Sequence, residues 1–209
     1  PVVIFTLGTA WVYRFLETKK VVANCYKIPA ASYSKSCLSV EAVQKDLELI
    51  IDNIRSLNPE AKVIFTLSPV RHWKDGAREN SVSKSTLNVA ISNVCKSGVQ
   101  VGYFPSYEIQ MDELRDYRFY DSDMLHPSEV AVDYIWQRFT ETYFNEADRK
   151  RMDRIGKLQR AKQHRPQEVS SPGHQVFLKK QLVLVDELQR SAAHPILDEL
   201  HQYFTSQLI

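Results

Sequence analysis

Two hydrophobic patterns alternate along the chain. Val2–Leu7 is an apolar, β-branched run closed by Gly8, and Lys62–Leu67 is a second one closed by Ser68-Pro69. A third run, 99–104, ends at Pro105. Short apolar runs bounded by Gly or Pro predict strands buried on both faces. Between them, apolar residues recur at helical spacing. Val40, Val43, Leu47, Ile50, Ile54 and Leu57 predict a helix over 40–57, stopped by Asn58-Pro59. Further helices are predicted over 83–95 and 127–144.

The order strand, helix, strand, helix, strand, loop, helix predicts an α/β fold with a parallel sheet covered by helices on both faces. In such sheets the working residues lie beyond the carboxyl ends of the strands. Here those ends are Gly8-Thr9-Ala10-Trp11, the stretch Ser68 to His72, and Pro105-Ser106-Tyr107. After Phe144 the pattern changes. Residues 145–165 hold 8 Lys/Arg against 3 Asp/Glu and suit a solvated basic helix. Arg165-Pro166 and Ser170 to Gly173 read as breaks, and 176–188 and 196–204 as two more helices. The expected division is an α/β domain over 1–145 and a helical C-terminal extension over 146–209.

Composition narrows the possible functions. The chain has 209 residues, 44% hydrophobic and 25% charged, as a soluble globular protein does. A net charge of +2 gives no electrostatic reason to expect nucleic acid or a membrane surface as partner. Cys25, Cys37 and Cys95 are odd in number and form no CxxC, so neither a disulfide scaffold nor a zinc site is expected. Reduced thiols favour a reducing, cytoplasmic setting. A chain with six Gly and no GxGxxG, Walker loop, HExxH or GxSxG calls for no nucleotide cofactor and no metal. The chain opens in a strand without an initiator Met, so an upstream segment, with or without a signal peptide, is expected.

The chemistry concentrates in Asp123-Met124-Leu125-His126-Pro127-Ser128. A histidine base must be neutral, in one tautomer and aimed, and a carboxylate at its second ring nitrogen achieves this. Asp123 and His126, three residues apart in a loop, can reach one another. Pro127 suits the first position of a helix and Glu129 a capping-box acid, which would put His126 at a helix amino end. The alternative is that both residues merely cap that helix.

Other candidates lie at the strand ends. Arg71 could grip a carboxylate or phosphate, and His72 could touch substrate; alternatively Arg71 pairs with an acid in a structural loop. Asn24 could donate to an oxyanion or simply make a turn. Cys25 could be a nucleophile, but an inert packing thiol is the preferred reading. The aromatic and acidic stretch 103–120 could wall a sugar or acyl site, although an amphipathic cover over the sheet explains it as well.

Taken together, the longer motifs resemble the GSCFA family. They are Thr6-Leu7-Gly8-Thr9-Ala10-Trp11-Val12-Tyr13-Arg14, then 22–27 (Val-Ala-Asn-Cys-Tyr-Lys), 65–72 (Phe-Thr-Leu-Ser-Pro-Val-Arg-His), 103–109 and 123–131, in order over roughly residues 1–145. That family is similar to the SGNH (GDSL-like) hydrolases. The resemblance implies a flavodoxin-like three-layer α/β fold and serine-dependent hydrolysis of an ester, for instance a small-molecule or carbohydrate acetyl ester. A non-catalytic carbohydrate- or partner-binding module on the same fold is the alternative. The resemblance further implies Asp123 and His126 as two members of the triad; Gly8 and, as a substitute for the usual asparagine, Asn24 are the candidate oxyanion donors, and Arg71 and His72 the candidates for the substrate side. The Gly-Ser-Cys-Phe-Ala signature that names the family does not occur in these 209 residues, and Gly8-Thr9-Ala10-Trp11 stands where SGNH enzymes have Gly-x-Asn-Asp. The 209 residues alone are therefore expected to be inactive, with the strand at 2–7 left as an open edge.

Overall fold

Along residues 1–143 the elements are β1 (Val2–Leu7), β2 (Trp11–Phe15), β3 (Val21–Val22), β4 (Tyr33–Cys37), α1 (Val40–Leu57), β5 (Lys62–Leu67), α2 (Gly76–Ser97), β6 (Val101–Phe104), the single turn α3 (Ser106–Glu108) and α4 (Glu129–Tyr143). The computed structural model describes all residues except Asn24, Tyr26, Gly98, Val99, Arg165, Gln167 and Val169. It divides into two units, Pro1–Phe139 and Thr140–Ile209.

The first two predicted apolar runs and residues 101–104 of the third form one parallel sheet in the order β1-β5-β6, while Val99, in the expected third run, lies outside the described residues. β5 is central because both of its faces are apolar. Val63, Phe65 and Leu67 pack with Val43, Leu47 and Ile51 of α1 and Leu87, Ala90, Ile91 and Val94 of α2. Ile64 points the other way and packs with Phe104, Ile109, Leu114 and Ala131 of α4. This is the two-residue alternation of a strand serving two helical coverings. Among the described residues β1 pairs with β5 alone, and its Val2 and Ile4 are 56% and 49% exposed. Helix α1 starts where Ser39 Oγ accepts the Ala42 N–H at 3.2 Å, satisfying one of the donors that a helix start leaves free.

Two helix starts and one sheet in this part of the chain differ from the sequence expectation. Helix α2 begins at Gly76, not 83, because its first turns carry polar residues on the inward face. Helix α4 begins at Glu129, not Pro127. Pro127 bridges to Tyr120, and the Ser128 N–H donates to Phe119 O at 3.0 Å, which keeps both residues extended. A second, antiparallel sheet in the order β3-β2-β4 was not expected. Its strands intersperse Arg14, Ser34, Lys35 and Ser36 among apolar residues, so no continuous apolar run marks them.

The second unit holds α5 (Glu146–Gln163), α6 (Pro172–Ser191) and α7 (Pro195–Ser206). Leu158, Leu178, Val185, Leu188, Leu197, Leu200 and Phe204 form its core. Arg154–Glu187 and Lys162–Glu199 ion pairs, at 2.5 and 2.6 Å, lie outside that core. Helix α6 starts four residues earlier than expected, because Ser171 caps the His174 N–H and Pro172 occupies the first turn. Among the described residues no helix is long and apolar enough to cross a membrane.

Candidate functional site

The site begins with what the strand ends require. The last carbonyls and amides of a parallel strand run out of ladder partners, and buried ones must find others. Here helix α2 and α3 supply them. Ser83 Oγ accepts the Ala10 N–H at 2.7 Å and lies 2.9 Å from Thr9 Oγ1, fixing the loop after β1. Lys84, only 2% exposed, donates through Nζ to Ser68 O at 2.7 Å. Asn80 Oδ1 accepts the His72 N–H at 2.9 Å. Ser106 Oγ donates to Leu67 O at 2.5 Å, so the 2.7 Å contact with Thr66 Oγ1 must use the threonine's proton. These hydroxyls are committed to holding the strand ends in place.

Burial lowers Lys84 from its ordinary 10.5 to about 8, against the opposing pull of the Glu108 carboxylate. Glu108 itself accepts from Tyr103 Oη at 2.8 and 2.7 Å and from Asn88 Nδ2 at 2.5 Å. Lys84, Glu108, Asn88, Tyr107 and Leu67 line a cavity of about 300 Å³. Lys84, Asn80 and Ser83 were not among the residues singled out from the sequence. Their signal was present, because 80, 83 and 84 continue the inward stripe of Leu87, Ala90, Ile91 and Val94.

The loop 120–128 forms a closed turn around Asp123. The Asp121 N–H donates to His126 O at 2.8 Å, and the Met124 N–H to Asp121 O at 2.9 Å. Asp123 Oδ1 accepts the Leu125 and His126 N–H groups at 2.8 and 2.9 Å. Its Oδ2 lies 2.5 Å from His126 Nδ1. The His126 amide first, then its ring and the Leu125 amide, hold the Asp123 carboxyl down at about 2. An ionised carboxylate can only accept, so Nδ1 carries the proton. With the proton on Nδ1, it is Nε2 that is placed to take a proton from a substrate-side group, as a general base must. The expected pair thus meets side chain to side chain. His126 stands three residues before α4, not in its first turn, so the helix dipole acts on it less than anticipated.

The model of the GSCFA family matches residues 1–139. The chain belongs to the GSCFA family. No curated protein and no solved structure matches it. Within this GSCFA chain the other expected site residues are placed as follows. Gly8 ends β1, and a Cβ added there would meet nothing within 4 Å, so the space beside it is open. Arg71 lies against the Asp123 loop, donating to Met124 O at 2.6 Å, and makes no ion pair among the described residues. His72 turns instead toward Asp75, with Nε2 3.5 Å from Oδ2. Asp75 is also paired with Lys35, whose hydrogen bond holds its carboxyl below the ordinary range. Asn24 lies outside the described residues. Cys25, Cys37 and Cys95 are free, half-buried thiols, and among the described residues no group of His, Cys, Asp and Glu could hold a metal.

Proposed function

We propose that this GSCFA domain is the acid–base half of an SGNH-type serine esterase. Its parallel strands would belong to a flavodoxin-like, three-layer sheet. The observation that carries the reading is the contact of His126 Nδ1 with an Asp123 carboxylate that two backbone amides hold in place. In the proposed reaction, the serine of the family signature attacks an ester carbonyl. His126 Nε2 takes the serine proton as the new C–O bond forms, then delivers it to the leaving alkoxide as the ester C–O bond breaks. Water, activated by the same nitrogen, releases the acid and restores the serine. Asp123 stabilises the imidazolium in between. The Gly8 amide, beside open space, and Asn24 are the oxyanion donors proposed. Small acetyl esters, including those of carbohydrates, are the substrate class.

The test is hydrolysis of a generic acetyl ester by protein carrying the signature serine, compared with His126→Ala and Asp123→Asn. Each substitution is expected to lower turnover by on the order of 10³-fold or more. Full activity in both variants overturns the reading. Sugar binding without hydrolysis, unchanged in both, supports the binding module instead. The His126 and Asp123 side chains are 60% and 45% exposed, so neither change should unfold the domain.

A further inference from the structure

Arg71 and Asp123 bind the two ends of a single peptide group in the loop. The carbonyl of Met124 and the N–H of Leu125 are two ends of one planar peptide group. Arg71 Nη2 donates to the carbonyl end at 2.6 Å, and Asp123 Oδ1 accepts from the N–H end at 2.8 Å. The two side chains therefore hold the same peptide from opposite sides. Rotating that peptide would break both bonds together. It is also a peptide with reason to rotate, because Met124 has φ +61°, a left-handed conformation that residues with a side chain seldom adopt.

Arg71 is itself fixed. Its guanidinium carbon lies 4.9 Å from the Trp73 ring centre and 5.3 Å from that of Tyr120. The segment carrying it is clamped at both ends, by Lys84 on Ser68 O and by Asn80 on the His72 N–H. A cation on a carbonyl also polarises the amide beyond it, strengthening the bond from Leu125 to Asp123.

We propose that Arg71 is a positioning residue for the Asp123–His126 pair, locking the 124–125 peptide so that Asp123 is held in place to orient His126. This replaces the role of substrate anchor for Arg71. It rests on the acid–base reading of the pair, yet can be tested without catalysis.

The experiment is NMR on the 209-residue chain, comparing wild type, Arg71→Met and Arg71→Lys. Arg71→Met keeps an unbranched stem between the rings and removes the donor. The readouts are the Asp123 carboxyl titration, hydrogen exchange of the Leu125 amide and the downfield proton on His126 Nδ1. In Arg71→Met, Asp123 is expected to rise from about 2 toward its ordinary 3.8. Leu125 exchange should quicken by roughly tenfold or more, the scale of one lost charge-assisted hydrogen bond, and the Nδ1 proton should broaden. Arg71→Lys, which keeps a donor without the planar stacking, should fall between the two. Adding Met124→Gly to Arg71→Met should restore part of the signature, since glycine adopts the left-handed turn without strain. An unchanged Asp123 titration and Leu125 exchange in Arg71→Met overturns the brace alone. If Arg71→Met fails to fold, Arg71→Lys decides, and identity with wild type overturns the brace. An ordinary Asp123 titration in wild type overturns the brace and the acid–base reading together. In the active protein, Arg71→Met should lower kcat with little change in KM; a raised KM at constant kcat would make Arg71 a substrate contact and overturn the proposal.

Discussion

Lys84 should make the stability of this protein rise with pH where most lysines have no effect. Its side chain is 2% exposed, with Ser68 O as hydrogen-bond acceptor, the Tyr107 ring 5.0 Å from Nζ and the Glu108 carboxylate facing it. In the fold it titrates at about 8, and in the unfolded chain at the ordinary 10.5. A base whose folded value is depressed binds more protons when unfolded, so stability increases with pH between the two values. The burden of charging Lys84 in the fold is about 3 kcal/mol near pH 7 and about 1.4 kcal/mol near pH 9.5. Replacing it with methionine removes that term but leaves Ser68 O without its donor, a loss of about 1.5–3 kcal/mol for a hydrogen bond to a charged group. The two effects nearly cancel near pH 7, so Lys84→Met should then be about as stable as wild type. As pH rises to about 9.5, wild type should gain about 2 kcal/mol on the variant. Urea unfolding of both proteins at half-unit steps over that range measures the difference directly. Taking the difference removes every group shared by the two proteins, including Tyr103, whose hydroxyl is held protonated by burial and by Glu108. Parallel stability curves would refute the reasoning, because they would show that Lys84 titrates alike in both states.

Two further predictions concern hydrogen bonding and packing. Ser83→Ala leaves the Ala10 N–H buried without an acceptor and frees Thr9 from its hydroxyl partner; urea unfolding should show a loss of about 1–3 kcal/mol, and a change within a few tenths would contradict the assigned role. Phe204→Ala empties the centre of the helical unit, where Phe204 is fully buried; a loss of about 3–5 kcal/mol is expected for residues 140–209 by hydrogen exchange, and unaltered protection of Leu178 and Leu188 would count against that core.

What the sequence made legible depended on the range of the interaction. The β5 run Val63 to Leu67 and the helix 40–57 are specified by periodicity alone, and both appear at the expected residues. Asp123 and His126 were readable for the same reason, since the turn that joins them closes within four residues. The antiparallel sheet was not readable. Pairs such as Tyr13 with Lys35 lie far apart in sequence, and their residues show no strict alternation. Ser171-Pro172 was misread as a break because the same dipeptide that ends one segment starts a helix when serine caps and proline takes the first turn.

The role of α2 shows why the rest stayed hidden. Its inward stripe is apolar from Leu87 to Val94 but polar at Asn80, Ser83 and Lys84. Read as a pattern, polar residues at these positions argue against a buried helix face, and the expected helix, 83–95, left out the turns that carry Asn80. Their reason lies in the sheet and not in the helix. The apolar part of the stripe covers the middle of β5, where backbone groups are already paired within the sheet. The polar part passes the ends of β1 and β5, where Ser68 O and the Ala10 and His72 amides have no strand partner and receive Lys84, Ser83 and Asn80 instead. A helix stripe that changes from apolar to polar without becoming exposed is therefore a sign that it crosses the end of a sheet. In this chain that crossing fixes the segment 68–72, which carries Arg71 to the Met124 carbonyl. The buried polar turns of α2 thus belong to the same construction as the exposed Asp123–His126 pair, although 39 residues separate Lys84 from Asp123 in the sequence.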